Sequence, residues 1–178
     1  MASGGSFSAR DWRAPPNIVT LVRLAMVVPS LLLLASGMRY WAAAVAVAMF
    51  ATDGLDGYLA RKLDRVTELG KILDPTADKV AVGAILLYLV KAGEFPVWAL
   101  ILVAARDVGI ALVGIALARR SGSVPQALPA GKAALVVLAA VVVVFVADLR
   151  ALEPAGLFFL AAAVLVSGAF YSAAAVGA

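Results

Sequence analysis

Asp53-Gly54-Leu55-Asp56-Gly57-Tyr58-Leu59-Ala60-Arg61, continued by Gly70-Lys71-Ile72-Leu73-Asp74-Pro75-Thr76-Ala77-Asp78, decides how the rest of the chain is read. Asp53 and Asp56 stand three residues apart and Asp74 and Asp78 four apart, so on helices each pair shares one face. The surrounding chain is 64% hydrophobic, and going back from Asp53 the next acidic residue is Asp11. A carboxylate at membrane depth costs about 2.5–3.5 kcal/mol, and four brought together also repel one another. Bound divalent cation is the simplest compensation. All-oxygen ligation favours Mg²⁺, Mn²⁺ or Ca²⁺ over zinc.

The composition narrows the class. With 178 residues and a mean hydropathy of +1.02, the chain is far more apolar than a soluble domain, where apolar usage is nearer half. It reads as one all-α integral membrane domain. The absence of cysteine rules out disulfides and thiolate metal sites. The absence of histidine removes the usual general base, so acid–base chemistry falls to Asp, Glu, Lys, Tyr or water. A net charge of +4 fits cytoplasmic loops and anionic headgroups, with no nucleic-acid partner expected.

Residues 1–14 form a small, polar segment with Arg10, Trp12 and Arg13. They have no apolar core of the signal-peptide kind and read as an interfacial approach, with Trp12 at headgroup level. Residues 15–178 then divide into six apolar runs. A hydrocarbon core of about 30 Å needs about 20 helical residues, and Ile18 to Ser36 supplies the first helix, with Arg23 inside it and Pro29 a candidate kink. The second runs from Tyr40 to Lys62. Leu63 to Leu69 is a polar loop, and the third helix reaches Ala92, with Asp74-Pro75 also reading as a helix start. A turn at Gly93 to Pro96 leads into a fourth helix ending near Ala118, which carries Arg106-Asp107. Arg119 to Pro129 is a loop, Ala130 to Ala147 the fifth helix with Lys132 in its first turn, and Ala155 to Val176 the sixth.

Six spans put both termini on one side. Arg10, Arg13, Arg61, Lys62, Arg65, Lys71, Arg119, Arg120 and Lys132 share that side, against Arg39, Lys91 and Arg150 on the other. The bias places the termini and the acidic cluster at the cytoplasmic face of the plasma (inner) membrane.

Taken alone, the cluster points to a metal-assisted reaction on a phosphorylated substrate, in which two ions about 4 Å apart clamp a pyrophosphate. Gly57 and Ala60 keep that face of the helix low, and Arg61 adds a fixed cation for phosphate. The spacing D-x2-D-G-x2-A-R-x8-G-x3-D-x3-D over residues 53–78 resembles the signature of the CDP-alcohol phosphatidyltransferases, with every specified position present. That resemblance implies six transmembrane helices around a cytoplasm-facing polar cavity, usually as a homodimer. It implies transfer of a phosphatidyl group from CDP-diacylglycerol to an alcohol, with release of CMP. Under it, Asp53, Asp56, Asp74 and Asp78 match the ligands of two Mg²⁺ or Mn²⁺ ions, and Asp78 also the general base. Asp53, Gly57, Ala60 and Arg61 match positions that contact the CDP portion, and Thr67 matches a small hydroxyl residue near the diphosphate. Asn17 and Thr20 resemble residues lining the nucleotide site. Within the family, Pro16 to Arg23 and Leu73 to Lys79 look most like bacterial enzymes whose acceptor is glycerol 3-phosphate. Arg106 stands where they carry an arginine, although Asp107 replaces a usual glutamate. Gly131-Lys132 matches the start of a basic segment from which Ala133 and Ala134 depart. Arg106, Arg119, Arg120 and Lys132 are the candidate cations for an acceptor phosphate.

Plainer readings stand beside these. Arg23 snorkels to the interface; Arg106-Asp107 is a structural pair; Lys132 neutralises lipid headgroups; Gly109 and Gly114 are packing surfaces; Trp41 and Trp98 are interface anchors. Phosphatidylglycerol, as in cardiolipin synthesis, and inositol phosphate are alternative acceptors. A different class, a divalent cation transporter, would place its carboxylates nearer the midplane.

Overall fold

The computed structural model describes the backbone of residues 15–62, 68–121 and 129–176, and the side chains of 18–52, 76–115 and 129–173. The approach segment 1–14, the loop residues 63–67 and 122–128, and Thr67 and Trp12 with them lie outside the described residues. Six helices follow one another: α1 Pro15–Ala35, α2 Arg39–Lys62, α3 Glu68–Lys91, α4 Val97–Ser121, α5 Pro129–Val146 and α6 Glu153–Val176. The chain divides into two compact units, Met1–Ile85 and Leu86–Ala178, with the boundary inside α3.

Four helices contain stretches long and apolar enough to cross a membrane: Ile18–Ala35, Val97–Ile115, Pro129–Val146 and Glu153–Ala173. Their exposed surface is hydrocarbon. Val22, Leu32, Leu112, Val136, Phe158 and Leu165 all point outward, the pattern expected where the surrounding solvent is lipid rather than water. The two helices outside this set, α2 and α3, are those that carry the aspartates.

Two boundaries differ from the sequence reading in ways that move candidate residues. α3 starts at Glu68, so Asp74-Pro75 lies inside the helix rather than at its head. A capping signature shows only that a helix can begin there; here the preceding turns are helical too, and Pro75 leaves the Lys71 carbonyl without its intrahelical donor. α4 runs on to Ser121, which moves Arg119 and Arg120 from a loop into its last turn. Arginine is a good helix former, and a cation there meets the negative end of the helix dipole. α1 continues helical through Pro29.

All three described turns close by the same device. Gly37 (φ 73°), Gly93 (φ 76°) and Asp148 (φ 56°) take the left-handed conformation just after α1, α3 and α5. At each, the amides of that residue and the next bond back to the helix: Gly37 to Leu34 and Met38 to Leu33, Gly93 to Val90 and Glu94 to Leu89, Asp148 to Phe145 and Leu149 to Val144. These are Schellman caps. Glycine supplies the left-handed residue twice; Asp148 does so as one of the few side-chain types that tolerate it.

In the first unit, α1 packs on α2. One stripe of α1 is buried, through Thr20, Arg23, Val27, Ser30 and Leu34, while α2 buries Ala42, Ala43, Ala46 and Met49. The alanines let the helix backbones approach, which is how membrane helices gain contact without a hydrophobic driving force. In the second unit, α6 packs on both α4 and α5. Ala99, Val103 and Arg106 form the buried stripe of α4, and Leu138, Val142 and Phe145 belong to that of α5. Phe95 stands edge-on to Phe145 with ring centroids 4.8 Å apart. Gly109 and Gly114 are not packing surfaces within the described chain, because a Cβ at either would meet nothing within 4 Å. Trp41 and Trp98 are exposed near the starts of α2 and α4, as anchors at an interface would be.

Ser30 is fully buried, and its hydroxyl finds no hydrogen-bond partner among the described residues. Ser30→Ala removes an unmet polar group rather than a bond. It is expected to leave thermal unfolding in detergent unchanged or to stabilise by up to about 1 kcal/mol; a clear loss of stability would show that the hydroxyl has a partner.

Candidate functional site

The aspartates fall on two helical stripes. Positions 53, 56, 57, 60 and 61 follow the i, i+3, i+4, i+7, i+8 pattern along the C-terminal half of α2, which places Asp53, Asp56, Gly57, Ala60 and Arg61 on one face by register. On α3, Gly70, Asp74 and Asp78 succeed one another at single turns. The side chains of Asp53, Asp56, Asp74 and Arg61 lie outside the described residues, as does that of Asn17. Asp78 is the described member of the acidic set. It sits at the edge of the buried Ala77, Ala81 and Ile85 stripe of α3.

Asp78 is held from α1. The Arg23 guanidinium donates through Nη1 to Asp78 Oδ1, an ion pair between residues 55 positions apart. The two ends differ in environment: the Arg23 side chain is 3% exposed and that of Asp78 41%. Arg23 therefore does not snorkel. A buried guanidinium is costly unless an anion meets it, and this one is met by a carboxylate whose own side chain is partly exposed. Both residues, with Thr20, Thr76 and Lys79, make further interactions. Thr20 is fully buried one turn before Arg23 on the same stripe, and Asn17 continues that stripe by register. The pair thus fixes the helix carrying the candidate nucleotide residues against the helix carrying Asp74 and Asp78. All candidates for the CDP end fall in the first unit.

The donor set suits a hard cation. It consists of carboxylates, in a chain that offers neither imidazole nor thiolate, and Mg²⁺ and Mn²⁺ prefer such oxygens. Asp53, Asp56, Asp74 and Asp78 are the residues that could hold the ions.

The candidate cations for an acceptor phosphate fall in the second unit. Arg106 is buried and heavily engaged: Nη1 donates to Asp107 Oδ1 at 3.0 Å, and Nη2 to the Gly131 carbonyl at 3.0 Å and to Ser167 Oγ at 3.4 Å. It ties α4 to the first turn of α5 and to the middle of α6. Its Nε is buried with no hydrogen-bond partner among the described residues. Gly131 keeps this turn low beside Tyr171: a Cβ there would lie 2.9 Å from the Tyr171 hydroxyl, so that side chain would have to shift. Lys132, next along, is exposed. Arg119 and Arg120 are placed in α4 by their backbone, and their side chains lie outside the described residues. Sequence reasoning missed Ser167 and the Gly131 carbonyl as partners of Arg106. The signal for Ser167 was a hydroxyl in the middle of the apolar run of α6, where polar side chains commonly bond across helices.

Comparison with known proteins gives a consistent result. The model of the family described as CDP-alcohol phosphatidyltransferase matches residues 13–171. The chain is 39% identical over 158 residues to a probable phosphatidylglycerophosphate synthase of Mycobacterium tuberculosis, covering 85% of this chain and 75% of that protein. It is 34% identical over 119 residues to the CDP-diacylglycerol–glycerol-3-phosphate 3-phosphatidyltransferase of Bacillus subtilis, covering 58% of this chain and 61% of the relative. The similarity to the enzyme of that name from Pseudomonas fluorescens is 41% over 80 residues, 43% of this chain and 40% of the relative.

The geometry around Arg106 predicts that Arg106→Ala lowers thermal stability by about 1–3 kcal/mol, because the buried Ser167 hydroxyl and Gly131 carbonyl lose their charged donor. Ser167→Ala is expected to cost under about 1 kcal/mol, the usual size of one interhelical bond in a membrane protein. Arg106→Lys should not restore the loss, since an ammonium lacks the planar fork that serves several acceptors together. Unfolding midpoints in detergent measure all three.

Proposed function

The chain belongs to the CDP-alcohol phosphatidyltransferase family, and on that premise we propose that it transfers a phosphatidyl group from CDP-diacylglycerol to glycerol 3-phosphate, releasing CMP, in phospholipid synthesis. The relatives' names support that acceptor over phosphatidylglycerol or inositol phosphate. Family membership also displaces the transporter reading. The protein is an integral membrane enzyme with several apolar helices. The finer topology is part of the proposal: six spans, the inner membrane, a homodimer, and the acidic cluster at the cytoplasmic face, supported by the arginine and lysine bias of the sequence.

The roles divide as follows. Asp53, Asp56, Asp74 and Asp78 hold two Mg²⁺ or Mn²⁺ ions, which when bound neutralise the diphosphate and the charge developing on it. Asn17, Thr20, Gly57, Ala60, Arg61 and Thr67 receive the CDP portion, Arg61 as a forked donor to phosphate oxygens. Asp78 takes the proton from the acceptor hydroxyl. The freed oxygen attacks the phosphorus that bears the diacylglycerol, the bond from that phosphorus to the bridging oxygen breaks, and CMP leaves with that oxygen. Arg119, Arg120 and Lys132 attract the acceptor phosphate, with Arg106 supporting them.

The observation that carries this reading is the state of Asp78. Its carboxylate pairs with the buried Arg23, while its side chain as a whole is 41% exposed, so it is oriented and still reachable. A general base has to combine these two properties.

The test is CMP release from CDP-diacylglycerol by the purified protein across a panel of acceptors. Glycerol 3-phosphate is expected to be used, chelation to stop turnover, and Mg²⁺ or Mn²⁺ to restore it. Asp78→Asn should lower kcat by about 10²–10⁴-fold, the range of a lost acid–base contribution. Near-normal turnover in that variant would remove Asp78 as the base. Arg106→Ala separates two roles: a raised acceptor KM supports contact with the phosphate, whereas an unchanged KM in a less stable protein assigns Arg106 to the helix knot.

A further inference from the structure

We propose that Ser167 and Tyr171 of α6 are positioning residues for the acceptor: together they set where the first turn of α5 stands, and with it Lys132. The inference rests on the reading above that Lys132 attracts the acceptor phosphate, and it adds two residues that act through α5 rather than on the substrate.

The turn is held from two sides, both within the second unit. Ser167 is fully buried. Its hydroxyl accepts from Arg106 Nη2 at 3.4 Å, and the same Nη2 donates to the Gly131 carbonyl at 3.0 Å. A guanidinium is a rigid planar fork, so the serine helps fix the orientation in which Arg106 ties α5 to α4. Tyr171 follows Ser167 by four residues on α6 and shares its face. Its ring lies against Gly131: a Cβ there would stand 2.9 Å from the Tyr171 hydroxyl and 3.2 Å from the ring edge. The tyrosine makes a further interaction of its own. Gly131 is buried and Lys132 is exposed, so the residue that α6 grips and the residue that the turn presents are neighbours in the chain.

The two arginine-type and lysine-type cations then divide the work. Arg106 is engaged with Asp107, Gly131 and Ser167, whereas Lys132 meets phosphate as a point charge on a flexible stem. A point charge has no fork with which to select a geometry, so the height of its backbone decides how near it comes to the anion. That height is what Ser167 and Tyr171 control. A pair with a purely structural role lowers the thermal midpoint and the amount of active protein, and shifts neither KM. A positioning pair raises the acceptor KM, because the phosphate contact is weakened in ground state and transition state alike. It leaves the KM for CDP-diacylglycerol, whose candidate residues belong to the first unit.

The experiment uses the full chain in detergent with CDP-diacylglycerol, glycerol 3-phosphate and Mg²⁺, and reads both KM values beside the thermal midpoint. Lys132→Ala is the reference and is expected to raise the glycerol 3-phosphate KM about tenfold. Ser167→Ala and Gly131→Ala are expected to raise the same KM by about three- to tenfold, as a misplaced binding group does. The CDP-diacylglycerol KM stays within about twofold of the parent in all three. Tyr171→Phe removes the atom that a methyl at position 131 meets first. Gly131→Ala made in that background therefore changes the acceptor KM by less than about twofold, the signature of two coupled positions. If Gly131→Ala does not fold, Ser167→Ala decides alone, since it deletes one buried hydroxyl and adds nothing. An acceptor KM unchanged in Ser167→Ala, both KM values rising together, or a Gly131→Ala effect that persists in full beside Tyr171→Phe overturns the inference while leaving the role of Lys132 standing. An acceptor KM unchanged in Lys132→Ala removes the acceptor reading of that residue, and the inference with it.

Discussion

A guanidinium inside an apolar helix has to find an anion, and in the first unit of this protein that requirement joins α1 to α3. Arg23 and Asp78 are each a poor choice for a buried helix on their own. Together they fix the register of two helices, because the pair forms only when the Thr20–Arg23 turn of α1 faces the Asp78 turn of α3. Replacing such a pair by hydrocarbon is often neutral or favourable for stability. Its presence here is therefore better explained by what it places than by what it stabilises: the candidate nucleotide stripe of α1 beside the acidic stripe of α3.

The second unit uses the same economy with a different outcome. Arg106 is likewise buried, but its partners are an adjacent carboxylate, a backbone carbonyl of α5 and a serine of α6. Three helices meet on one side chain, and a glycine at position 131 makes room for the Tyr171 ring against the same turn. Where Arg23 meets a partly exposed carboxylate, Arg106 is enclosed by groups that belong to the scaffold. Two arginines of similar burial thus fall on opposite sides of the division between site and support.

Local patterns carried much of this into the sequence. The spacing of residues 53–78 identifies the family because the chemistry demands particular residue types at particular turns of two helices. The described helix ends fall within three residues of the apolar runs, and Gly93 marks its turn because a left-handed residue is needed there. What local patterns could not carry was partnership. Arg23 and Asp78 are 55 positions apart, and Arg106 and Ser167 are 61. Nothing near Arg23 distinguishes a snorkelling arginine from a paired one; the difference lies in which face of α1 packs. Arg119 and Arg120 looked like loop residues because the apolar run stops before them, yet a helix can outlast its hydrophobic stretch when its last turn is basic.

The turns after α1 and α3 have a bearing on how the chain meets a bilayer. Each joins a helix with a described stretch long and apolar enough to cross to one of the two that carry the aspartates: α1 to α2, and α4 to α3. Residues 92–96 reach at most about 18 Å when fully extended, and the turn after α1 is shorter still. Neither can traverse a hydrocarbon layer of about 30 Å. The head of α2 is thereby tethered where α1 emerges, and the tail of α3 where α4 enters. A crossing by α1 or α4 would therefore set the leaflet at which the head of α2 or the tail of α3 lies.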